Sequence, residues 1–404
     1  MNITINKAIV GGTVKSIASK SQAHRLLICA ALADSETVVS YAETSDDIEA
    51  TAHCLAAIRR GDSDLNVRES GSTLRFMLPV CCALGIDATL HMSGRLPERP
   101  MAPLLDALRE HGCTFSGVGS DCLKSSGQLS SGTFNLPGNI SSQFISGLLL
   151  ALPLLDGDSR INVEGREESG SYINMTIDAL NIFGIEIGRG DGSYQVKSQQ
   201  YQSPGKVIVE GDWSNAAFWL CAGAIGMGAV TCTNLNLNSS QGDMAVTRLL
   251  EAFGAEVTYG RDSVTVMPSR EKLRGIRIDA EDTPDLVPVI AAVAAVAAGE
   301  TVIYNAARLR IKESDRLRAV SETLSTLGAD ITETPDGLLI KGMESLKGGV
   351  VSSFGDHRIA MTAAVASCVC KEPVTINGAE AVDKSYPGFF RDFESLGGQV
   401  TEGG

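Results

Sequence analysis

The chain has 404 residues, of which 44% are hydrophobic and 20% are charged. This length and composition exclude a disordered protein and favour two domains of roughly 200 residues, each with its own core. There are 34 basic and 48 acidic residues, and the resulting net charge of -14 argues against nucleic acid or an anionic membrane as the main partner. Any anion-binding site must therefore be a local cluster of cations.

The amino-terminal stretch MNITINKAIVGGT lacks the basic start and apolar middle of a signal peptide, so we expect a strand entering the fold and a cytoplasmic protein. The longest apolar stretch, residues 286–299, has the length of a buried helix and not of a membrane span. The ten cysteines include no C-x-x-C pair, and the five histidines show no metal-ligand spacing. We therefore expect buried, reduced thiols and neither a metal site nor a cofactor.

A short polar opening that leads into an apolar helical stretch recurs six times along the chain. The six openings are SKSQAHR (from residue 19), SGSTLRF (70), SSQF (141), DWSNAAF (212), DTPDLVP (282) and DHRIAM (356). From the second opening onward the spacing is about 70 residues, which indicates a repeated structural unit. Each of these helices is apolar on nearly all sides and is predicted to be buried.

A second series of helices, each with a polar face, alternates with the first and ends in glycine. Glycine at a helix end, followed by alternating apolar residues, predicts a helix stop and a strand. These glycines are Gly112, Gly184, Gly254, Gly328 and Gly397. The chain is therefore predicted to hold six units of mixed α/β (α+β) structure, the first of them shortened, with three units in each of two domains.

Cationic side chains lie at the predicted starts of several buried helices. N-capping accounts for the Ser and Asp residues at these positions. It does not account for the cations, which oppose the helix dipole and therefore predict an anionic ligand. The four cations are Lys20, Arg25, Arg75 and Arg358.

A run of charges, RLRIKESDRLR, occupies residues 308–318. The residues alone leave two interpretations open, a solvated helix face or cations gathered around an anion. Glu313 and Arg316 are three residues apart and are predicted to share one helix face.

The segments SKSQAHR, SGSTLRF, SGRLPERPM, SSQF, ESGSY, TPD, RIKESDRL, GDHRIAM and DKSYPGFF follow one another along nearly the whole chain. In this order they resemble the pattern of the 5-enolpyruvylshikimate-3-phosphate synthase family. The resemblance implies two similar domains, each of three βαβαββ units, that close over shikimate 3-phosphate and phosphoenolpyruvate. It implies a monomer with one domain at residues 19–210 and the other at residues 1–18 and 211–404. Two crossing strands, near Ser19 and Glu210, would form the hinge.

The resemblance also implies roles for the residues that match the family's motifs. Contacts to shikimate 3-phosphate are expected from Lys20, Ser21, Arg25, Ser141, Ser142, Ser169 and Tyr172. Gln143 is expected to touch both substrates. The cations expected on the carboxylate and phosphate of phosphoenolpyruvate are Arg99, Arg316, Arg358 and Lys384. Gly71 opens a buried helix, and its missing Cβ would let phosphoenolpyruvate or the inhibitor glyphosate approach the backbone.

The implied reaction moves two protons, because the 5-hydroxyl of the shikimate ring loses one and C3 of phosphoenolpyruvate gains one. Asp285 is the expected base at the hydroxyl, and Glu313 is the expected group that exchanges a proton with C3. Lys20 would support the charge on phosphate, and Lys312 would hold the ring hydroxyls near Asp285. His357 is expected either to assist proton transfer or to act as a positioning donor.

The chain departs from the family pattern where Glu69 and Ser72 replace the usual asparagine and threonine. Glu69 introduces a charge near the expected anion site.

Three alternatives to this function remain. The first is UDP-N-acetylglucosamine enolpyruvyl transferase, whose family pattern has a reactive cysteine shortly before the position of Arg99. Residues 93–98 of this chain contain no cysteine. A non-enzymatic repeat scaffold would leave the Asp285 and Glu313 pair unexplained. Such a scaffold, or a relative of RNA 3'-terminal phosphate cyclase, would also be expected to have a basic surface, contrary to the net charge of -14.

Overall fold

The computed structural model describes residues 1–6, 9–268 and 271–403. Within these ranges the chain forms a mixed α/β structure of helices α1 to α12 and strands β1 to β22, numbered in chain order. The α/β class predicted from the sequence is confirmed.

Six helices have apolar side chains on nearly all sides and are buried along most of their length. They are α1 (Lys20–Leu32), α3 (Gly71–Ala83), α5 (Ser142–Ala151), α7 (Trp213–Ile225), α9 (Val287–Ala294) and α11 (His357–Ser367). Side-chain N-caps begin most of them, because a Ser or Asp oxygen accepts a hydrogen bond from a free backbone N–H of the first turn. Asp212, for example, accepts from Asn215 N at 2.8 Å.

The other six helices have a polar face and are partly exposed. They are α2 (Asp46–Arg59), α4 (Ala102–Glu110), α6 (Gly170–Ile182), α8 (Val246–Phe253), α10 (Arg316–Thr326) and α12 (Phe389–Ser395). The five glycines predicted to end helices of this series all have positive φ, between 75° and 101°. Gly61, with φ 83°, follows α2 in the same way, so the first unit does have its outer helix.

Five four-stranded sheets share one pattern, a parallel pair followed by two antiparallel pairings. One of them has the spatial order β4 (Asp64–Arg68), β5 (Thr89–Met92), β7 (Cys122–Ser126), β6 (Thr114–Ser116). A second has the order β8 (Thr133–Pro137), β9 (Ser159–Glu164), β11 (Ser193–Val196), β10 (Ile187–Gly190). The first unit has only the parallel pair β3 (Val38–Ser40) and β12 (Lys206–Ile208). The shortening therefore lies in its sheet.

The remaining three sheets consist mainly of strands from the second half of the chain, and two of them also include one strand from its first 15 residues. In spatial order they are β2 (Gly12–Lys15), β13 (Val230–Thr233), β15 (Ser263–Met267), β14 (Glu256–Tyr259); β16 (Arg277–Asp279), β17 (Glu300–Tyr304), β19 (Gly337–Lys341), β18 (Asp330–Thr334); and β20 (Gly349–Ser352), β21 (Val374–Asn377), β1 (Asn2–Asn6), β22 (Gln399–Gly403). Strand β1 lies antiparallel between β21 and β22. The first residues of the chain thus complete its last sheet.

The chain divides into two compact units. One unit, here called the split unit, comprises Met1–Ile17 and Glu210–Gly404, and the other, the inserted unit, comprises Ala18–Val209. Each unit has its own apolar core. The chain passes between the units at residues 17/18 and 209/210, close to the predicted crossings near Ser19 and Glu210. The hinge at these crossings stays a prediction.

The apolar stretch at 286–299 forms the buried helix α9, which begins after a 3-10 turn at Pro284–Leu286 and ends at Ala294. Across the described ranges, no helix combines the length and the apolar character that a membrane span requires.

Candidate active site

In the inserted unit, Lys20 opens α1 and forms an ion pair with α2. Its Nζ lies 2.8 Å from Asp47 Oδ2, and the two side chains are 17% and 8% exposed. Asp47 was not predicted as a site residue, because an acidic residue in the first turn of a helix is explained by the helix dipole alone. The lysine that was predicted to face an anion therefore already has a carboxylate partner in the fold.

Arg25 is buried on α1 and connects three helices. Its guanidinium donates to Thr176 Oγ1 (2.7 Å), Ser21 O (2.6 Å), Tyr172 O (2.9 Å) and Ser146 Oγ (3.5 Å). These four acceptors are neutral, and burial lowers the pKa of Arg25 to about 10. Since protein oxygens accept these bonds, the position of Arg25 at a helix start does not by itself require a ligand.

The same contacts bring several predicted substrate residues to one place. The Tyr172 carbonyl that Arg25 holds belongs to the first turn of α6, whose N-cap is the buried Ser169. Ser169 has a left-handed backbone, with φ 56°, which is uncommon for a residue other than glycine. The structure thus places Ser169 and Tyr172 on the helix start that Arg25 contacts.

A second cluster in the inserted unit joins the starts of α3 and α5. Gln143 accepts from Arg75 Nη1 at 2.8 Å and donates to Ser72 Oγ at 2.8 Å. Ser141 caps α5 by accepting from Gln143 N at 3.3 Å, and Ser142, the first residue of α5, is buried. Arg75, which was predicted to need an anion, is therefore bound by a carboxamide, and this neighbour is 68 positions away in sequence.

Gly71 lies against two guanidinium groups. A Cβ built at this position would be 2.7 Å from Arg75 Nη1 and 2.8 Å from Arg99 Nη1. These distances are shorter than side-chain contacts allow, so glycine leaves the space that both cations occupy. Gly71, Arg75 and Arg99 therefore form one group at the start of α3.

Glu69, the departure from the family pattern, is tied to a neighbouring turn. Its Oε1 accepts from Arg95 N at 3.2 Å, and its carboxyl carbon would lie 2.5 Å from a Cβ of Gly94. Gly94 has φ 57°. The carboxylate therefore has a structural contact within the SGRLPERPM segment.

In the split unit, Asp285 is the centre of a charge cluster. Its carboxylate accepts from Arg316 Nη1 at 2.8 Å and from Arg358 Nη2 at 3.2 Å, and Lys312 Nζ lies 3.7 Å away. Burial alone would raise the pKa of Asp285, but Arg358, Lys312 and Arg316 together hold it well below its usual range. Cations from two separate segments thus surround one carboxylate.

Arg316 is the most fully paired cation of this cluster. Besides Asp285 it donates to Glu313 Oε2 at 2.6 Å and to Asp356 Oδ2 at 2.8 Å, and its side chain is 2% exposed. Burial disfavours its charge, but Asp356, Glu313 and Asp285 outweigh that effect and raise its pKa.

The predicted shared helix face of Glu313 and Arg316 is wrong. Helix α10 begins at Arg316 with Asp315 as its N-cap, so Glu313 lies before the helix and contacts Arg316 from the preceding loop. Each of the two interpretations of the charge run at 308–318, a solvated helix face or cations around an anion, holds for part of it. Arg318 and Glu322 form an exposed pair on α10, whereas Lys312 and Arg316 are enclosed beside Asp285.

The remaining predicted residues lie at and beside the start of α11. Arg358 donates from Nη1 to Asp285 O at 3.1 Å and from Nη2 to Ser214 Oγ at 2.6 Å. His357 is buried next to the N-cap Asp356. Lys384 is 8% exposed and ends the 3-10 segment Ala379–Lys384, which packs against α11.

Burial lowers the pKa of Lys312 to about 8, although Asp285 opposes this change. Lys312 can therefore lose its charge within the pH range of an ordinary enzyme assay. Among the described residues, no group of three or more His, Cys, Asp or Glu side chains has the arrangement of a metal site.

Comparison with known proteins agrees with this architecture over the whole chain. Two 3-phosphoshikimate 1-carboxyvinyltransferases, from Clostridium kluyveri and Clostridium acetobutylicum, are each 42% identical to it, with 99% of this chain and 98% of each relative covered. The structure of EPSP synthase from Acinetobacter baumannii superposes with a TM-score of 0.83 at 25% identity, covering 99% of this chain and 100% of the other. The enolpyruvyl transferase NikO from Streptomyces tendae shares the fold, with a TM-score of 0.78 at 18% identity over 99% and 98% of the two chains.

The family model of EPSP synthase (3-phosphoshikimate 1-carboxyvinyltransferase) matches residues 5–64 and 58–393. Together with the full-length relatives, this match shows that the chain belongs to the EPSP synthase family.

Proposed function

We propose that this protein transfers the enolpyruvyl group of phosphoenolpyruvate to the 5-hydroxyl of shikimate 3-phosphate and releases phosphate. The observation that carries the proposal is the carboxylate of Asp285, held by Arg316, Arg358 and Lys312 in a family of enolpyruvyl transferases. Phosphoenolpyruvate has a carboxylate and a phosphate, and guanidinium groups bind both in a forked geometry. The cluster therefore supplies both the base and the cations that such a substrate needs.

Binding of phosphoenolpyruvate changes the strength of Asp285 as a base. In the ligand-free protein the three cations make Asp285 a very weak base, because they hold its pKa well below the usual range. Substrate anions would share Arg316 and Arg358 with Asp285 and so raise its affinity for a proton. The site is thus a stronger base only when the substrate anions are bound.

The proposed reaction proceeds by addition and elimination. Asp285 takes the proton of the 5-hydroxyl as the oxygen bonds to C2 of phosphoenolpyruvate, and Glu313 gives a proton to C3. In the second step the bond between C2 and the phosphate oxygen breaks, phosphate leaves, and C3 returns its proton to Glu313. Lys312 orients the ring hydroxyl beside Asp285, and Lys20 balances charge on the departing phosphate.

The inserted unit is proposed to hold shikimate 3-phosphate. This proposal is supported by the positive charge and the hydroxyl donors at the starts of α1, α5 and α6, together with Gln143 between α3 and α5. Arg99 beside Gly71 is proposed to contact phosphoenolpyruvate, with Lys384 and His357 as further contacts in the split unit. Glyphosate is a proposed competitor of phosphoenolpyruvate.

Each unit is proposed to be one enolpyruvyl transferase domain of a monomer that needs no cofactor. A cytoplasmic location is proposed because the ten cysteines are free, and nine of them are buried.

The alternatives are less well supported. The relatives reported above act, by their names, on 3-phosphoshikimate and not on a UDP-sugar. A non-enzymatic scaffold would gain little stability from the buried charge cluster around Asp285. The free-energy cost of removing these charges from water offsets most of their mutual attraction.

The direct test is release of phosphate from phosphoenolpyruvate with shikimate 3-phosphate, with UDP-N-acetylglucosamine in a parallel reaction. Phosphate is expected in the first reaction only. Arg316→Ala should abolish it by removing one of the three cations beside Asp285, whereas Arg318→Ala should leave it unchanged, because Arg318 belongs to an exposed pair of the same helix. Phosphate release with the UDP-sugar alone would refute the proposal.

A further inference from the structure

Four buried polar side chains form a continuous chain of hydrogen bonds in the inserted unit. His24 Nδ1 on α1 lies 2.7 Å from Thr51 Oγ1 on α2, which lies 2.7 Å from Thr73 Oγ1 on α3. Thr73 Oγ1 in turn donates to Oγ of Ser70, the N-cap of α3, at 2.8 Å. All four side chains are 0% exposed. The chain thus links three helices and ends at the start of α3, where phosphoenolpyruvate is proposed to bind.

The direction of these hydrogen bonds follows from the number of protons available. A threonine hydroxyl has one proton to donate, and its oxygen can also accept. Thr73 donates its proton to Ser70 Oγ, and the backbone oxygen of Asp47 lies farther away, at 3.5 Å. Thr51 must therefore donate to Thr73. Because the proton of Thr51 is then used, His24 Nδ1 must carry the proton that Thr51 accepts, and all three bonds point towards Ser70.

His24 is consequently fixed in one neutral form. Its other ring nitrogen, Nε2, is buried and has no hydrogen-bond partner among the residues that the structure describes. A second proton on Nε2 would therefore lose its hydration without compensation. Burial lowers the pKa of His24 to about 3; Asp47 opposes this change, and Lys20 and Arg25 add to it. The ring is neutral, with its proton on Nδ1.

The aligned bonds have an electrostatic consequence at the start of α3. Hydrogen bonds in a chain reinforce one another, because each donor polarises the hydroxyl that accepts from it. The positive ends of the Thr51 and Thr73 hydroxyl dipoles both point along the chain towards Ser70. The free N–H groups of the helix start also present a positive partial charge. The chain therefore adds to the potential that favours an anion beside Gly71 and Arg99.

We propose that His24 is a positioning residue that orients the Thr51 and Thr73 hydroxyls so that their positive ends favour phosphoenolpyruvate at the start of α3. This inference rests on the proposed function, in which Arg99 beside Gly71 contacts that substrate. His24 acts only through the two threonines. With its proton on Nε2, the Nδ1 atom could only accept, and the two hydroxyls would turn away from α3.

The first experiment compares His24→Leu with His24→Asn. The two new side chains have nearly the same shape, and only the amide can donate in place of Nδ1. We expect KM for phosphoenolpyruvate to rise about fivefold in His24→Leu with kcat nearly unchanged, and to be largely restored in His24→Asn. His91→Leu, which removes a half-exposed imidazole from β5, should leave KM unchanged. Equal KM values in the Leu and Asn variants would overturn the inference, because a merely structural role depends on shape and not on the donor.

Thr51→Val breaks the chain one step further on and leaves the histidine in place. Valine has nearly the shape of threonine, so we expect a similar rise in KM. Thr51→Ser should largely reverse this rise, because it restores the hydroxyl. A folded Thr51→Val protein with the KM of wild type would also overturn the inference.

Nitrogen-15 NMR of labelled histidine tests the orientation of the chain without any activity measurement. The His24 signals, identified by their absence in His24→Asn, should show a protonated Nδ1 and an unprotonated Nε2 from about pH 5 to pH 8. A proton on Nε2, or a ring that titrates in this range, would count against the inference and remove its basis. A wild type that releases no phosphate would refute the proposed function, and the role of His24 in substrate binding with it, whereas an active wild type with equal KM values in the two variants refutes only the role.

Discussion

Replacing Asp285 by asparagine removes the carboxylate that Arg316, Arg358 and Lys312 share, and leaves an amide of the same shape. We expect turnover to fall by about a hundredfold or more, because an amide cannot accept the proton of the 5-hydroxyl. Binding of shikimate 3-phosphate should stay within about 1.4 kcal/mol of wild type, since most of its proposed contacts belong to the inserted unit. Loss of turnover without loss of binding is therefore the expected result.

The same substitution should lower the free energy of unfolding. Removing one partner of a buried ion pair typically costs about 3–5 kcal/mol. The Asp285 side chain is 15% exposed, and Arg316 keeps its contacts with Glu313 and Asp356. We therefore expect a smaller loss, about 2–3 kcal/mol near neutral pH.

The pH dependence of this loss has a definite sign. Arg358, Lys312 and Arg316 outweigh the effect of burial and depress the pKa of Asp285 in the folded protein. A depressed carboxyl stabilises the fold above its unfolded pKa, near 4, and this contribution disappears as the pH falls through the folded pKa. The difference in stability between wild type and variant should be largest between about pH 5 and pH 7, where Lys312 is charged, and should shrink below about pH 4.

Phosphate release, titration with shikimate 3-phosphate and urea unfolding together check this prediction, with Asp262→Asn as the control for loss of one exposed negative charge. Turnover within a few fold of wild type would show that Asp285 is not the base. An unchanged urea midpoint would show that the three cations do not stabilise the fold through this carboxylate.

Gly71→Ala should weaken glyphosate inhibition far more than phosphoenolpyruvate binding, because the added methyl group displaces Arg75 and Arg99 and the longer glyphosate molecule meets the methyl group first. Equal losses for the two ligands in a folded variant would refute the pocket assignment. Binding of both substrates should change the emission of the buried Trp213, since its neighbour Ser214 is bonded to Arg358, and a constant spectrum would count against that coupling. The value of kcat/KM for phosphoenolpyruvate should fall above about pH 8 as Lys312 loses its charge, and Lys312→Arg should move this decline to higher pH; an unmoved decline would exclude Lys312 as its source.

The helices of the fold could be predicted because their sequence pattern is local. A polar cap followed by an all-apolar stretch located the buried helices, and a glycine after a polar-faced helix located most of the outer ones. The end of α2 before Gly61 was not predicted, because two arginines and not an apolar pattern precede this glycine. Glu313 was placed on a helix because the spacing rule ignores the N-cap, although Asp315 is a good capping residue.

The partners of the charged residues could not be predicted from local pattern. Gln143 satisfies Arg75 only because α3 and α5 pack side by side, and Asp47 meets Lys20 only because α2 folds back onto α1. Periodicity indicates which face of a helix is buried, but not which helix lies against it. The proposed site residues came from a family resemblance for the same reason.

The proposed reaction is tested most directly by the fate of the oxygen atom that bridges C2 and phosphorus in phosphoenolpyruvate. With oxygen-18 at this position and shikimate 3-phosphate present, addition and elimination predicts that the label leaves in the released phosphate, while shikimate 3-phosphate gains an enolpyruvyl ether. Unlabelled phosphate with labelled pyruvate, and no enolpyruvyl group on the shikimate ring, would mean that the phosphorus–oxygen bond is broken instead. Either result would contradict the proposed reaction.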